Sequence, residues 1–282
     1  MSSFLQSIDW SHWPSRIDPV LFRLGPFTLQ WYSLMYIAAL ATAYGLARRR
    51  LRRDPSLFPM DAFEAVMPWI VLGVVVGARA GYVLFYDLRY YLSFPWEIVL
   101  PFRWENGSFV FTGIRGLSYH GGLAGAVLAG VLFCRRRRLS PWKLGDVLAC
   151  AAPFGYTFGR LGNFLNGELY GRATSKPWGM YFPTDPSGLL RHPSQLYEAL
   201  FEGLFLGAVL SWVSRRPRPT GVMLAAYVAG YGSIRFVLEW FREPDAQLGY
   251  VLGSLTMGQL LCLVMAAGGA AGVFRLVSNS KS

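Results

Sequence analysis

Four groups of polar side chains lie within or beside long apolar segments of this sequence. In chain order they are the triplet His120-Gly121-Gly122, the run 159–172 with Arg160, Asn163, Glu168 and Gly171, the run 191–198 with Glu202 after it, and the pair Arg235 and Glu239. Ionisable groups are costly inside a membrane, so each group is a hypothesis for a functional site. A guanidinium makes bidentate, charge-assisted hydrogen bonds to phosphate. Arg160 and Arg235 together therefore predict a clamp for a phosphodiester.

Each group also has a plain structural interpretation. His120 could be hydrogen-bonded between helices for packing alone, and Arg160 could be an anchor whose side chain snorkels to lipid headgroups. Arg235 and Glu239 are spaced i,i+4 on one helix face, so they could simply neutralise each other. Two arginines at similar depth weigh against this last interpretation, because together they hold a phosphodiester better than either does alone.

The run 191–198 returns the chain to an apolar segment. Glu198 and Glu202 lie one helical turn apart there, and a structural role in capping and pairing is favoured for them over substrate contact. Tyr32 and Arg79 add polar groups that face the same half of the bilayer. The polarity is therefore predicted to be confined to one leaflet.

The sequence contains none of the common catalytic templates: no GxSxG elbow, no HExxH motif, no P-loop and no Cys/His pairing. Cys134, Cys150 and Cys262 share no metal-ligand spacing, so neither a disulfide nor a metal site is expected. No diffusible cofactor is expected either. The residues indicate direct transfer between two bound substrates, at least one of them a phospholipid.

These side chains must be positioned by helices in a membrane. Of the 282 residues, 53% are hydrophobic and 15% are charged, whereas a soluble domain has about 25% charged residues. A helix needs about 20 apolar residues to cross the hydrocarbon core. The predicted fold is an all-α polytopic membrane protein with seven transmembrane helices, at residues 27–47, 64–86, 118–134, 144–160, 194–213, 221–241 and 254–274.

The net charge of +11 is concentrated at alternate junctions between these spans. Basic residues follow the first, third, fifth and seventh spans, and the positive-inside rule makes those junctions cytoplasmic. They carry fifteen basic and four acidic residues, and the rest of the chain holds twelve of each. The N-terminus is thus predicted to be periplasmic and the C-terminus cytoplasmic. The charge is an orientation signal rather than a nucleic-acid site.

The outer connections differ in composition from the short inner ones. Residues 87–117 hold Trp96, Trp104 and many Phe and Tyr, which is typical of an interfacial arm. Residues 161–193 hold frequent Gly, Pro and Asn and are predicted to form an ordered outer cap. The chain shows no internal repeat, and residues 1–282 are predicted to be a single integral membrane domain. The first apolar run leads into Arg48 and indicates a retained span rather than a cleaved signal.

Several of these motifs together match one known family. They are His120-Gly121-Gly122, the run 159–172, the run His192-Pro193-Ser194-Gln195-Leu196-Tyr197-Glu198 and the stretch 235–244. On them the sequence resembles bacterial prolipoprotein diacylglyceryl transferase. The resemblance implies an inner-membrane enzyme with a periplasmic active site. Such an enzyme moves a diacylglyceryl group from phosphatidylglycerol to the lipobox cysteine of a prolipoprotein signal peptide and releases glycerol 1-phosphate. The implied partners are these two substrates and the membrane lipids, with no nucleic acid.

The resemblance also implies roles for individual residues. Arg160 matches a phosphatidylglycerol-binding position of the family, and positions needed for activity match His120, Tyr32, Asn163, Gly171 and Arg235. Glu168 and Glu239 match further positions of functional weight. The expected substrate-binding residues are Arg160, Arg235, Asn163 and His120. Within that reaction, His120 is assigned as the base that takes the thiol proton, and the two arginines as the groups that stabilise the departing phosphate.

Two other functions stay open at this point. A transporter or flippase for a lipid-linked or anionic solute could use the arginines as a binding site without any reaction. A structural assembly factor could use the outer cap to bind partner proteins. The odd number of spans, the missing repeats and the one-sided polarity count against alternating access.

Overall fold

The computed structural model describes residues 10–25, 27–100, 102–105, 108–111, 116–243 and 250–280, and most of them are helical. The α-helices are α1 (Trp31–Arg53), α2 (Met60–Phe85), α3 (Leu88–Ser93), α4 (Tyr119–Arg136), α5 (Pro141–Ala149), α6 (Ala152–Leu165), α7 (Ser194–Glu198), α8 (Leu206–Val213), α9 (Val222–Leu238) and α10 (Met257–Asn279). A π-helical turn, Ala199–Phe205, joins α7 to α8. Short 3₁₀ turns occupy Trp10–His12, Pro14–Arg16 and Pro95–Ile98.

In the part of the chain that the structure describes, three two-stranded antiparallel hairpins accompany the helices. They pair β1 (Val20–Leu24) with β2 (Phe27–Gln30), β3 (Phe102–Glu105) with β4 (Ser108–Phe111), and β5 (Tyr250–Leu252) with β6 (Leu255–Thr256). The all-α prediction did not include them. Gly25 and Gly253 each have φ of +58° at a hairpin turn, a conformation that glycine adopts without steric cost. Strands β2 and β6 run directly into α1 and α10, so two of the hairpins lead into long helices.

Among the described residues, three helices are long and apolar enough to cross a membrane: Met60–Phe85, Ser194–Val213 and Met257–Asn279. Val222–Leu238 is a shorter apolar helix. The chain is thus a polytopic membrane protein by the length and composition of its helices. The count of seven spans stays a prediction.

The predicted span 144–160 is not one continuous helix. Helix α5 ends at Ala149 and α6 begins at Ala152, with Pro153 in the first turn of α6. Proline has no backbone N–H and its ring clashes with the preceding turn, so it is tolerated at a helix start and disrupts a helix interior. The break separates α6, which carries the polar residues that follow, from α5.

The chain divides into two compact units, Pro55–Leu144 and the combination of Met1–Asp54 with Gly145–Ser282. The single-domain prediction over 1–282 is not tested by this division and stays a prediction. The arm 87–117 belongs to the first unit, and its residues 101, 106, 107 and 112–115 lie outside the described residues. Pro244, the last residue of the matched stretch 235–244, also lies outside them.

In the unit 55–144, α2 and α4 pack with their backbones in contact. A Cβ on Gly121 would overlap the Gly77 carbonyl oxygen and lie 2.9 Å from Cα of Gly81. The glycine of the His120 triplet thus allows a neighbouring backbone to approach, as its type predicts. Arg79 of α2 donates from Nε to the Ile98 carbonyl at 2.7 Å, so α2 is tied to the arm.

In the other unit, α1 packs on α6, α9 packs on α10, and α6 contacts the π-helical turn. Asp146 accepts hydrogen bonds from the backbone N–H of Gly221 at 2.6 Å and of Leu224 at 2.9 Å, which satisfies the start of α9. Cys150, Leu206, Leu210 and Met223 form a buried apolar cluster. A second cluster of Phe164, Met180 and Phe182 forms the interior of the predicted cap.

Candidate active site

Helix α6 places three polar side chains on one face. Tyr156, Arg160 and Asn163 are spaced by four and three residues, which puts them above one another on a helix. Arg160 donates from Nε to the Tyr156 hydroxyl at 2.7 Å and from Nη1 to Oδ1 of Asn163 at 3.3 Å. Its guanidinium carbon lies 4.8 Å from the centre of the Tyr156 ring. Arg160 is thus fixed on both sides along its own helix.

One buried carboxylate joins the two arginines predicted to act together. Oε2 of Glu198 lies 2.9 Å from Nε of Arg160 and 3.0 Å from Nη1 of Arg235. Glu198 is only 2% exposed, so this carboxylate has little solvent to screen its charge. A buried charge needs such partners to offset its desolvation. The structure therefore brings Arg160 of α6 and Arg235 of α9 to the same carboxylate oxygen.

Arg235 has further acidic neighbours. Its Nη2 lies 3.0 Å from Oε2 of Glu239, as the i,i+4 spacing predicts, and its Nη1 lies 3.6 Å from Oε1 of Glu202. Thr256 donates to Oε1 of Glu239 at 3.3 Å. The interpretation that Arg235 and Glu239 only neutralise each other is incomplete, because Arg235 is shared among three carboxylates.

The Nη1 atom of Arg235 is buried and has no hydrogen-bond acceptor among the described residues. Nη1 is therefore close enough to Glu198 to form an ion pair, but its N–H does not point at the carboxylate oxygen. An unmatched buried donor is costly and is found where a ligand or a water completes the site. Nη1 of Arg235 thus lies close to two carboxylates, and the buried Oε1 of Glu202, 3.6 Å away, is likewise without a hydrogen bond among the described residues.

The network continues from Arg160 towards the predicted cap. Nδ2 of Asn163 donates to Oε1 of Glu168 at 2.9 Å, and Gln195 donates to the backbone carbonyl of Glu168 at 2.7 Å. Gly162, next to Asn163, faces Tyr32, since a Cβ there would lie 3.1 Å from Cδ2 of the tyrosine ring. Six of the predicted site residues thus belong to this unit's polar chain or border it: Tyr32, Arg160, Asn163, Glu168, Arg235 and Glu239.

Gly171 contributes space rather than chemistry. Its N–H donates to the carbonyl of His192 at 2.8 Å, and it pairs with Arg242 in an isolated antiparallel bridge. A Cβ at Gly171 would overlap the Phe241 carbonyl oxygen and lie 2.9 Å from Cβ of His192. Three backbone segments meet at this residue, so only glycine fits.

An ion pair holds the predicted cap together. Arg191 donates to both oxygens of Asp185, at 2.7 and 3.2 Å, and contacts Glu243 at 2.9 Å. Hydrogen bonds from Arg191 lower the pKa of Asp185, and hydrogen bonding to Asp185 raises the pKa of Arg191. Burial, with a smaller effect of Lys176, lowers the pKa of His192. These groups fix the loop that returns to α7.

His120 belongs to the unit 55–144, where it is the second residue of α4. Its side chain is exposed, and its ring lies edge-on to Tyr119 with centroids 5.7 Å apart. Ser118 caps the helix by accepting a hydrogen bond from the N–H of Gly121 at 3.2 Å. The position at a helix start agrees with the sequence, and the role of His120 as a base stays a prediction.

Two members of the site were missed or undervalued in the sequence. Tyr156 was not singled out, although its position four residues before Arg160 is a helical contact spacing. Glu198 was predicted to act in capping and pairing; the pairing is confirmed, but the sequence did not indicate that its partners are both arginines. Among the residues that the structure describes, no cluster of three or more His, Cys, Asp or Glu has the arrangement of a metal site.

Comparison with known proteins gives one consistent family. The family model described as "Prolipoprotein diacylglyceryl transferase" matches residues 19–275. A Chlorobaculum tepidum protein named phosphatidylglycerol--prolipoprotein diacylglyceryl transferase is 46% identical over 265 residues, which cover 92% of this chain and 90% of that protein. A protein with the same name from Geobacter sulfurreducens is 48% identical, over 88% of this chain and 91% of that protein. One from Bordetella avium is also 48% identical, over 90% of this chain and 92% of that protein. Because the match spans most of both chains, this protein belongs to the prolipoprotein diacylglyceryl transferase family.

Proposed function

We propose that this protein transfers the diacylglyceryl group of phosphatidylglycerol to the lipobox cysteine of prolipoproteins. The observation that carries the proposal is the meeting of Arg160 and Arg235 at Glu198 in a chain with apolar, membrane-length helices. The names of its relatives give the two substrates. The hydrogen-bond donors and ion pairs of Arg160 and Arg235 support the same reaction.

The arginines retain donors for a phosphate. Among the described residues, Nη2 of Arg160 has no hydrogen-bond partner, and the Arg160 side chain is 17% exposed. Nη1 of Arg235 is buried, lies 3.0 Å from Oε2 of Glu198 and makes no hydrogen bond among the described residues. A phosphate oxygen beside the Glu198 carboxylate would accept from both guanidiniums. Preorganised donors of this kind stabilise charge that develops in a transition state.

The proposed reaction is a single substitution. The cysteine thiolate attacks the diacylglyceryl carbon that bears the phosphate ester, a C–S bond forms, and the C–O bond breaks with its electron pair going to the phosphate oxygen. Glycerol 1-phosphate leaves with the extra negative charge, which Arg160 and Arg235 offset. The thiol proton goes to His120. Only the thiolate is a strong nucleophile, so this proton transfer raises the reactive fraction.

The other predicted residues have positioning roles in this proposal. Asn163 and Glu168 extend the polar chain from Arg160 along one side, and Glu239 holds Arg235 on the other. Tyr32 borders Gly162 beside this chain, and Gly171 permits the close packing of the predicted cap.

The proposed setting is the bacterial inner membrane, with seven spans as predicted, a periplasmic N-terminus and a cytoplasmic C-terminus. The alternate basic junctions support this orientation. The arm 87–117 and the cap 161–193 would then lie on the periplasmic side, where the signal peptide of a translocated prolipoprotein presents its cysteine. The protein would act there as one integral membrane domain.

A defined mixture tests the function. Purified protein, phosphatidylglycerol and a peptide with a lipobox cysteine should yield a thioether-linked diacylglyceryl peptide and glycerol 1-phosphate in equal amounts, detected by mass spectrometry. A peptide with serine in place of cysteine is the substrate control. Arg160→Ala should abolish product, whereas Arg275→Ala, near the end of α10, should not. Lipid binding or movement without a modified peptide would instead indicate a transporter, and partner binding alone an assembly factor.

A further inference from the structure

The segment between α7 and α8 departs from regular helix geometry. Ala199–Phe205 forms a π-helical turn of seven residues within the apolar helix Ser194–Val213. Such turns are rare, and they occur frequently at functional sites. This one begins immediately after Glu198, the residue that joins the two arginines, and it contains Glu202. The turn therefore lies next to the carboxylates that contact the two arginines.

The two ends of this helix have different neighbours. At one end, Glu198 faces Tyr156 and Arg160 of α6. At the other end, Leu206 and Leu210 are buried in the apolar cluster. An α-helix turns by about 100° per residue, so one residue more or fewer between these ends would rotate one of them away from its neighbours. The wider π-helical turn takes up the residues between Glu198 and Leu206, so that Glu198 still faces α6 and Leu206 still packs in the apolar cluster.

The turn is braced directly against α6. Thr157, which follows Tyr156, donates from Oγ1 to the carbonyl of Ala199 at 3.3 Å. A Cβ at Gly203 would overlap Oγ1 of Thr157 and lie 3.0 Å from its Cβ. The absence of a side chain at Gly203 therefore allows Thr157 to pack into the turn. This contact fixes the register between the turn and the helix that carries Arg160.

The register places two carboxylates at one hydroxyl. The Tyr156 hydroxyl lies 3.2 Å from Oε2 of Glu198 and donates a short hydrogen bond to Oε2 of Glu202. The same hydroxyl accepts from Nε of Arg160. Glu198 then pairs with Arg235 as well. Movement of the turn along α6 would thus change the separation of the two guanidiniums.

We propose that the π-helical turn Ala199–Phe205 is a positioning element of the transfer site, which holds Glu198 where its carboxylate sets Arg160 and Arg235 at the separation needed for one phosphate. The inference rests on the proposed function. Glu198 is a positioning residue in it, since it acts through the arginines. The turn is the part of the fold that connects the apolar interior to the reacting groups.

Gly203→Ala tests the proposal, because the new methyl group collides with Thr157 and displaces the turn. A displacement near 1 Å should lower kcat about 100-fold for each folded molecule. Adding Thr157→Ala removes the overlapping hydroxyl and should restore a large part of the loss. Gly268→Ala in α10 is the matched control, because a Cβ there meets nothing within 4 Å. It should leave kcat and the melting temperature near those of the unchanged protein.

A double-mutant cycle separates positioning from general stability. If the turn acts through Arg160, Gly203→Ala should cost much less activity when combined with Arg160→Lys than it does alone. Wild-type kcat for folded Gly203→Ala protein, or equal losses in both backgrounds, would overturn the inference.

If Gly203→Ala does not fold, Glu198→Gln gives the same test. Its control is Glu97→Gln, a buried carboxylate of the other unit that also accepts from a tyrosine, Tyr90, at 2.6 Å. Equal kcat for Glu198→Gln and the unchanged protein would contradict the inference. Failure of the unchanged protein to modify the peptide would refute the proposed function instead.

Discussion

Replacement of Gly171 by alanine is the most direct test of how the predicted cap is packed. The added Cβ would overlap the Phe241 carbonyl oxygen and lie 2.9 Å from both Cβ and the carbonyl oxygen of His192. Two of these three atoms belong to the backbone, so no side-chain rotation relieves the contact. The segment at Gly171 must move away from at least one of its two neighbours.

The size of the effect follows from what this movement breaks. Overpacking of a tight site costs about 1–3 kcal/mol. The N–H of Gly171 donates to His192 O at 2.8 Å, and the N–H of Arg172 donates to Phe241 O at 2.9 Å. The loss of each such bond costs about 1 kcal/mol. We expect a total destabilisation of roughly 2–5 kcal/mol, concentrated in the cap.

Thermal unfolding, hydrogen exchange of residues 166–193 and transfer activity measure this effect together. Gly171→Ala should show a lower melting temperature, faster exchange in that segment and a large loss of transfer. Gly45→Ala in α1 is the matched control, because a Cβ there meets nothing within 4 Å. Wild-type exchange and wild-type turnover of Gly171→Ala would show that glycine is not required at this junction.

Arg160, His120 and Asp185 each have a role that a substitution can test. Arg160→Ala should lower kcat/KM for phosphatidylglycerol by about 100-fold or more in steady-state kinetics. Arg160→Lys should recover little of this loss, because a point charge replaces a planar fork. Full recovery of kcat/KM by lysine would contradict the prediction. His120→Ala should lower turnover by about 100-fold or more while lipid binding persists; full activity at neutral pH would exclude the base role. Asp185→Asn should lower the melting temperature at pH 7. Because pairing with Arg191 lowers the pKa of Asp185, its ionised form stabilises the fold above about pH 4 and this contribution is lost on further acidification. The difference between variant and unchanged protein should therefore shrink below pH 4, and a constant difference across pH would count against the ion pair.

The sequence predicted the parts of the site that depend on local spacing. The i,i+4 pairing of Arg235 with Glu239 is confirmed, because four residues on a helix bring two side chains together in any packing. The joint use of Arg160 and Arg235 was predicted from their similar depth in the membrane. The structure brings both to Glu198, although their contact with a phosphate stays a prediction.

Features that depend on packing between distant segments were not predicted. The π-helical turn has no evident sequence signal, since it reflects the need of one helix to face both Arg160 and the buried Leu206. Glu198 was undervalued for the same reason. The break between α5 and α6 had a signal in Pro153, but the apolar run across it favoured a continuous span. The hairpins were not predicted, because their strands are short and two of the hairpins lead directly into long apolar helices that dominate the hydropathy pattern.

We propose that this chain joins the diacylglyceryl group of phosphatidylglycerol to a cysteine thiol at a site organised by Arg160 and Arg235. A single reaction of purified protein with phosphatidylglycerol and a lipobox peptide, followed by mass spectrometry of peptide and water-soluble products, tests it most directly. We expect a thioether-linked diacylglyceryl peptide and an equal amount of glycerol 1-phosphate, both lost in Arg160→Ala and Arg235→Ala. An unmodified peptide, or product formation that survives the loss of both arginines, would contradict it.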